Sequence, residues 1–231
     1  KNYFNWYKKI GEFGSILNKN KFSKFIKKND TVLDFGCGGG YLLDKINCKK
    51  KFGVEINNIA IKEAKKKFKI YKSSKILPKN KFNVIISNQV LQHCENPILE
   101  LNNLYKSLKK NGKIIIYVAC AGSSLSYDKN DINFQLYSWS PMNLGHLLTA
   151  SNFKVIKTKI LFSKWPPKYD LIYKYFGINI LNFLSKMYGY FHKNKISICM
   201  AVAKKYFFIF SNLTFSLSTH KHCPIFLVRI F

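Results

Sequence analysis

Short apolar runs alternate with Lys-rich helical stretches through the first half of the chain. Residues 31–35 (TVLDF) form an apolar run that ends at glycines, and 39–47 reads as a helix. Residues 51–56 (KFGVEI) read as a second strand, 58–68 as a Lys-rich helix and 69–71 as a short strand before a loop. FNVIIS (82–87) is a buried strand. Pro97 opens a helix whose apolar positions are Ile98, Leu99, Leu101, Leu104 and Leu108, with Asn111-Gly112 as its stop and KIIIYVA (113–119) as the next strand. Strands separated by about 10 to 15 helical residues imply βαβ units, hence a parallel sheet covered by helices on both faces.

Beyond Ala119 the alternation loosens. Residues 120–138 form a long polar and aromatic connection, and a loop of that length in a compact domain is usually functional. Ser140-Pro141 starts a helix with Leu144, Leu147 and Leu148 on its face, and Phe153 to Leu161 alternates as a strand does. Trp165-Pro166-Pro167 breaks the chain before an apolar helical stretch, 170–191, and ISICMAVA (196–203) reads as a final buried strand. The expected organisation is an N-terminal helical segment (1–30), one α/β domain (31–205) with a lid or substrate insertion at about 120–191, and an apolar tail (206–231) outside the core. That tail has no acidic residue and holds the only Arg, Arg229.

Composition changes this picture in three respects. Over 231 residues, 47% hydrophobic and 16% aromatic content excludes disorder, and no uninterrupted apolar run reaches the roughly 18 to 20 residues of a spanning helix. Thirty-nine Lys and Arg against 11 Asp and Glu give a formal charge of +28. Nucleic-acid readers favour Arg and concentrate their charge, whereas these lysines run from Lys1 to Lys221, so a solvated lysine surface with weak, nonspecific polyanion binding is expected. Six cysteines without a CxxC pair suggest a reducing, cytoplasmic compartment. The N-terminus lacks the features of a secretory signal, and also an initiating Met, as a fragment would.

The chemistry lies in Val32-Leu33-Asp34-Phe35-Gly36-Cys37-Gly38-Gly39-Gly40. A buried strand ending in a Gly-rich turn at a helix N-terminus sets backbone N–H groups beside a ligand that must approach closely. A dinucleotide fingerprint GxGxxG needs a glycine at position 41, which is Tyr, so the pattern is GxGxG with an acid, Asp34, two positions earlier.

On these residues the chain resembles the class I S-adenosylmethionine-dependent methyltransferases, in the small-molecule subgroup that includes quinone-biosynthesis and sugar enzymes. The resemblance covers about residues 25–155, more loosely to Lys204. It implies a doubly wound, mostly parallel seven-stranded sheet with helices on both faces and the last strand antiparallel, a Rossmann-like methyltransferase fold. It implies S-adenosyl-L-methionine as cofactor, with Gly36, Cys37, Gly38 and Gly40 at its methionine portion and Asp34 holding the turn and the amino group. Glu55, 21 residues after Asp34, matches the position whose carboxylate accepts both ribose hydroxyls, with Ile56 beside it. The strand end Ser87-Asn88 is expected to pass the methionine moiety. Ser73, Ser74 and Lys75 stand where the family carries an acid for the adenine amino group, so backbone contacts must substitute. Val90-Leu91-Gln92-His93 is similar to a segment commonly ending Leu-Glu-His.

His93 suits a general base for an acceptor hydroxyl, and equally a residue capping the turn before Pro97. Cys94 reads as a small buried residue rather than a nucleophile. His220-Lys221-His222-Cys223 has metal-ligand residue types but no second cluster, so no metal is expected. Tyr127, Tyr137 and Trp139, with Phe134 and Trp165, fall where the resemblance places the acceptor side.

The expected activity is methyl transfer to a small molecule or a glycan- or lipid-linked precursor, with no specific nucleic acid partner and possible attachment at a membrane surface. Two alternatives stand beside it. One is an RNA or DNA methyltransferase, suggested by the charge but lacking [DNS]PP[YF] where Ser87-Asn88-Gln89-Val90 stands. The other is a non-catalytic nucleotide-binding or membrane-surface module, suggested by the apolar 170–191 stretch and its basic flanks. Oligomeric state is not legible.

Overall fold

The computed structural model describes residues 2–120, 129, 134–192 and 197–206. Seven strands, β1 (Thr31–Phe35), β2 (Lys50–Val54), β3 (Lys69–Tyr71), β4 (Phe82–Asn88), β5 (Leu108–Ala119), β6 (Phe153–Leu161) and β7 (Ile198–Lys205), form one sheet in the order β3-β2-β1-β4-β5-β7-β6. Neighbours from β3 to β5 pair in parallel, while β7 runs antiparallel between β5 and β6. This is the sheet implied by the sequence. The order reverses between β1 and β4, the point at which an open α/β sheet parts its two crossovers and leaves a crevice beyond the strand ends.

The continuous apolar runs feed two cores. Along β5, Ile114, Ile116 and Val118 join Leu33, Phe35 and Ile85 under α4 (Pro97–Ser107) and α5 (Pro141–Ala150). Ile115 and Tyr117 join Val32, Val84 and Ile86 on the opposite face, where Phe22 of α1 (Asn2–Ser23) packs edge-on against Tyr117 at 4.9 Å. Three shorter or later helices are α2 (Tyr41–Lys45), α3 (Asn58–Ala64) and α6 (Tyr169–Phe191). Ser140 caps α5, accepting from Asn143 N–H while the Asn143 side chain accepts from Ser140 N–H. α6 is bent at Gly177, whose φ of 72° and ψ of −176° interrupt the helix.

Two expectations are corrected. The helix opened by Pro97 ends at Ser107, not at Asn111-Gly112, and β5 already begins at Leu108. Lys205 accounts for this: its Nζ donates to the carbonyls of Leu108 (2.8 Å) and Lys106 (3.4 Å) and to Asn80 Oδ1 (2.9 Å), which closes the helix end. Asn111, at φ 60°, then lies within the irregular start of β5, where pairing with β4 shifts register between Phe82 and Val84.

The second correction concerns the aromatics assigned to the acceptor side. Trp139 is 5% exposed and belongs to the α4/α5 core; its backbone N–H donates to the Ala119 carbonyl at 3.0 Å, while its indole N–H has no partner among the described residues. Tyr137 stacks on it at 5.6 Å, half exposed, with its hydroxyl donating to the Glu95 carbonyl. An indole buried at the end of β5 contributes as core surface rather than as a cleft wall. Tyr127, the 206–231 tail beyond Tyr206, and the 220–223 segment lie outside the described residues. Trp139→Ala is accordingly expected to destabilise the protein by about 3 to 5 kcal/mol and Tyr137→Ala by under about 1.5 kcal/mol, as read by urea unfolding. Equal, small effects would show that Trp139 is not a core residue.

Candidate functional site

β1 runs directly into the Gly36–Gly40 turn, in which Gly36, Gly38 and Gly40 have φ of 76°, 53° and 81°. That left-handed region is costly for any residue with a Cβ. The turn is tied to the end of β2: the Gly36 and Cys37 N–H groups both donate to the Val54 carbonyl at 2.9 and 3.0 Å. Gly38 N–H donates to Glu55 Oε2 at 2.8 Å. Side chains close the remaining space, since a Cβ at Gly36 would overlap Val90 and one at Gly53 would overlap the Cys37 thiol. At Gly38 nothing lies within 4 Å of an added Cβ. The turn is packed hard from below and open above that one glycine.

Asp34 is 3% exposed, and no hydrogen bond reaches its carboxylate among the described residues. Burial, and then the neighbouring Glu55 charge, push its pKa well above the usual carboxylate range. Glu55 itself is well satisfied: besides Gly38, its Oε1 accepts from the Ile56 and Asn57 N–H groups at 2.9 and 2.8 Å. The Ile56 side chain is 81% exposed. Burial pushes the thiols of Cys37 and Cys94 up, the latter to about 12, so neither is a thiolate at neutral pH. All five described cysteines are free, and the described residues hold no cluster of three metal-ligand side chains.

Two cavities open at the carboxyl ends of β1 and β4. The smaller, about 220 Å³, is lined by Asp34, the turn residues Gly36 to Gly39, Tyr41, Asn88 and Gln89, and on its far side by Ile10, Gly11, Gly14, Ser15 and Asn18 of α1. The Tyr41 hydroxyl lacks a hydrogen-bond partner there. The larger, about 570 Å³, shares Asn18, Asn88, Gln89 and Trp165 with the first and continues along Lys21, Ser163 to Tyr169, Tyr188 and Ile198. Gln89 reaches both through a left-handed φ of 60°, with its N–H on the Tyr117 carbonyl at 2.7 Å.

The structure therefore gathers Asp34, Gly36, Cys37, Gly38 and Asn88 around one cavity, with Glu55 hydrogen-bonded to its rim. Gly40 forms the end of the turn at the α2 N-cap. Ser87 is buried one residue before Asn88, its hydroxyl unpartnered. His93 lies elsewhere: it is exposed, its Nδ1 is 3.4 Å from the Phe134 carbonyl, and it lines neither cavity. The sequence reading had the N-terminal helical segment and set Trp165 on the acceptor side, but it assigned no cavity-lining residue to α1. The signal for α1 was present, because Ile10, Gly11, Gly14, Ser15, Asn18 and Lys21 recur at helical spacing with small residues where a ligand or a neighbouring chain must come close.

Comparison with known proteins agrees with this geometry. A family model described as a methyltransferase domain matches residues 13–158. The chain is 27% identical over 178 residues to a phosphoethanolamine N-methyltransferase of Plasmodium falciparum (isolate 3D7), covering 69% of this chain and 66% of that protein. It is 30% identical over 110 residues to a ubiquinone biosynthesis O-methyltransferase of Pelagibacter ubique (strain HTCC1062), covering 42% and 45%. It thus spans less than two thirds of the length of either relative. Among solved structures, an S-adenosylmethionine-dependent methyltransferase from Archaeoglobus fulgidus superposes with a TM-score of 0.60 at 21% identity, over 89% of this chain and all of that one. A Haemonchus contortus phosphoethanolamine N-methyltransferase in complex with S-adenosylhomocysteine gives 0.57 at 15% identity, over 79% of this chain and 50% of that one. The turn after β1, the strand order and the match over residues 13–158, more than half of the chain, place it in the methyltransferase-domain family, of the class I S-adenosylmethionine-dependent type.

Proposed function

We propose that the protein transfers a methyl group from S-adenosylmethionine to a small-molecule acceptor, with the smaller cavity taking the cofactor and the larger one the acceptor. The observation that carries this reading is the junction of the two cavities at Asn18, Asn88, Gln89 and Trp165. Two ligands held on either side of that wall meet end to end. The combined space is that of a small-ligand cleft, and both curated relatives are named for small-molecule methylation.

The residues present fit the cofactor. An unpartnered, buried carboxylate at Asp34 is complementary to an ammonium group, and the open space above Gly38 admits a ligand against bare backbone. Asp34 would hold the amino group, Gly36 and Gly38 the close approach, Asn88 the methionine portion, and Glu55 the ribose hydroxyls, with Ile56 against the base. A carboxylate offers about four acceptor positions, and Glu55 already fills three. Seating both hydroxyls thus requires one backbone N–H, that of Ile56 or Asn57, to turn away.

When bound, the cofactor supplies a methyl group already activated on a sulfonium. What the chain must then do is align the acceptor atom behind that methyl and exclude water, and alignment alone can lower a barrier by roughly 7 to 11 kcal/mol. Asn18, Gln89 and Trp165 are placed to orient the acceptor at the junction. A general base is not required by this arrangement, and His93 is too far out on the surface to be assigned that role. Beside the larger cavity, α6 exposes Leu171, Tyr175, Phe176, Ile180 and Phe183, a surface along which a lipid-linked acceptor could approach. No described helix is long and apolar enough to cross a membrane.

Three outcomes are expected. Glu55→Ala should weaken S-adenosylhomocysteine binding about 10- to 150-fold in calorimetry, the loss of about 1.5 to 3 kcal/mol of charged hydrogen bonding; tighter binding of NAD than of S-adenosylhomocysteine would overturn the cofactor assignment. Gly38→Ala should cost the free protein only about 1 to 2 kcal/mol, because its Cβ meets nothing, yet reduce that binding at least about tenfold, because the Cβ enters the cradle. Asp34 has a raised pKa in the free protein, by burial and then by the Glu55 charge, and must ionise to hold an ammonium, so binding should release a proton and strengthen as pH rises above the ordinary carboxylate range. In Asp34→Asn that slope should vanish; an unchanged slope would assign it to another group. The lysine surface separately predicts weak, sequence-independent RNA binding lost between low and physiological salt. Methyl incorporation into RNA would favour the nucleic-acid reading instead.

A further inference from the structure

The two cavities differ sharply in charge. Among the described lining residues, the smaller has one ionisable acid, Asp34, and no lysine. The larger has three lysines, Lys21, Lys164 and Lys168, two tyrosines, Tyr169 and Tyr188, and no acid. The lysines come from three places in the fold: Lys21 from α1, Lys164 from the chain leaving β6, and Lys168 from the N-cap of α6. Lys21 lies one helical turn beyond Asn18, which stands at the junction of the cavities, and its Nζ is 5.7 Å from the centre of the Tyr117 ring. Lys164 Nζ is likewise 5.7 Å from the Tyr188 ring. Aromatic faces hold both ammonium groups beside the cavity, and no described ion pair neutralises either one. Lys168 has no capping side chain on α6, so the first N–H groups of that helix add positive potential at the same wall.

We infer that the larger cavity is an anion subsite and that the acceptor carries a phosphate group, held by Lys21, Lys164 and Lys168 while its methylated atom points to the junction. The inference rests on the proposed methyl transfer for what happens at the junction, but not for the anion subsite itself. Its logic is electrostatic. A cavity whose described lining has three cations and no anion selects against a cationic acceptor and for a group that spreads negative charge over several oxygens, and phosphate offers enough acceptors for all three lysines. Placing the positive donor end at Asp34 and the negative acceptor end at the lysines also fixes the direction in which each ligand enters. The phosphate can belong to a soluble phosphomonoester or to a lipid headgroup presented along α6.

The test is calorimetric titration at constant ionic strength with sulfate, inorganic phosphate and glycerol phosphate, on wild-type protein with and without saturating S-adenosylhomocysteine. Millimolar or tighter anion binding is expected, weakened about tenfold by Lys21→Gln and by Lys164→Gln, and unchanged by Lys49→Gln at the opposite end of the strands. Lys164 is partly exposed, so its variant reads the site even where Lys21→Gln disturbs α1 packing. Sulfate, ionised throughout, should bind more weakly as pH rises through about 8, where burial holds the Lys21 ammonium. Lys164 and Lys168, Tyr169, Tyr188 with His192 stacked behind it, the Tyr117 ring below and Asp34 in the adjoining cavity are the other charged or titratable groups that face it. In Lys21→Gln that pH dependence should disappear. Vesicles of phosphatidylcholine and phosphatidylglycerol that bind wild type and lose about tenfold with Lys164→Gln would assign the phosphate to a headgroup; glycerol phosphate binding without vesicle binding would assign it to a soluble ester. Anion binding indifferent to both lysine variants, or choline binding as tightly as glycerol phosphate, would overturn the subsite. Intact anion binding with no S-adenosylhomocysteine binding would instead overturn the methyl-transfer reading and leave the subsite standing.

Discussion

The cleft depends on how closely the turn after β1 is packed against the end of β2. One carbonyl, that of Val54, accepts from both Gly36 and Cys37, and the carboxylate one residue on accepts from Gly38. Those bonds exist only in the register that sets Phe35 beside Val54. A slip of one residue would reverse every side chain on β2 and remove Glu55 from the turn. The close fit also explains residues that do no chemistry. Val90, after β4, occupies the space a Cβ at Gly36 would need, and Cys37 fills the hollow above Gly53. Cys37 is thus a packing residue whose buried thiol stays protonated.

From that constraint follows the placement of charge. Asp34 is carried to the cavity by a strand buried on both faces, so its carboxyl has little water to stabilise an anion, and the neighbouring Glu55 opposes ionisation further. Such a group is poised for a cationic ligand and costly without one. Glu55 sits differently, with its charge spread over three backbone N–H groups at the start of α3. Two acids in a chain of net charge +28 therefore sit in different surroundings, one buried and opposed by its neighbour's charge, the other fastening the turn. Among the described residues no lysine pairs with either acid.

What was legible in the sequence was what is local. Strand, glycine turn and the acid ending the next strand lie within about 25 residues, and apolar runs such as IIIYV could only be strands covered on both faces. Where tertiary contacts decide, the sequence was silent or misleading. Asn111-Gly112 has the composition of a helix stop, but Lys205, nearly a hundred residues later, fastens the helix end before it. Trp139 follows a polar loop and looks like a lid residue, yet the pairing of its backbone with Ala119 and Cys120 carries the indole into the core. His93 stands in a familiar-looking segment, and the short helical turn over Leu91–His93 buries Leu91 and Gln92 while leaving the imidazole outside.

The wall of the cleft joins segments far apart in sequence, and its α1 half escaped notice. α1 contributes Gly11, Gly14 and Asn18 to the cavities, but its position is set by a cluster far away in sequence. Phe13 packs against Trp165, Tyr169 and Tyr173 at 5.4, 4.8 and 5.5 Å, and Gly14 lets the Trp165 ring lie against the helix. Trp165 and Asn18 then stand in both cavities at once. On the proposed division of the cleft, ligands in the two cavities would therefore touch opposite sides of the same residues.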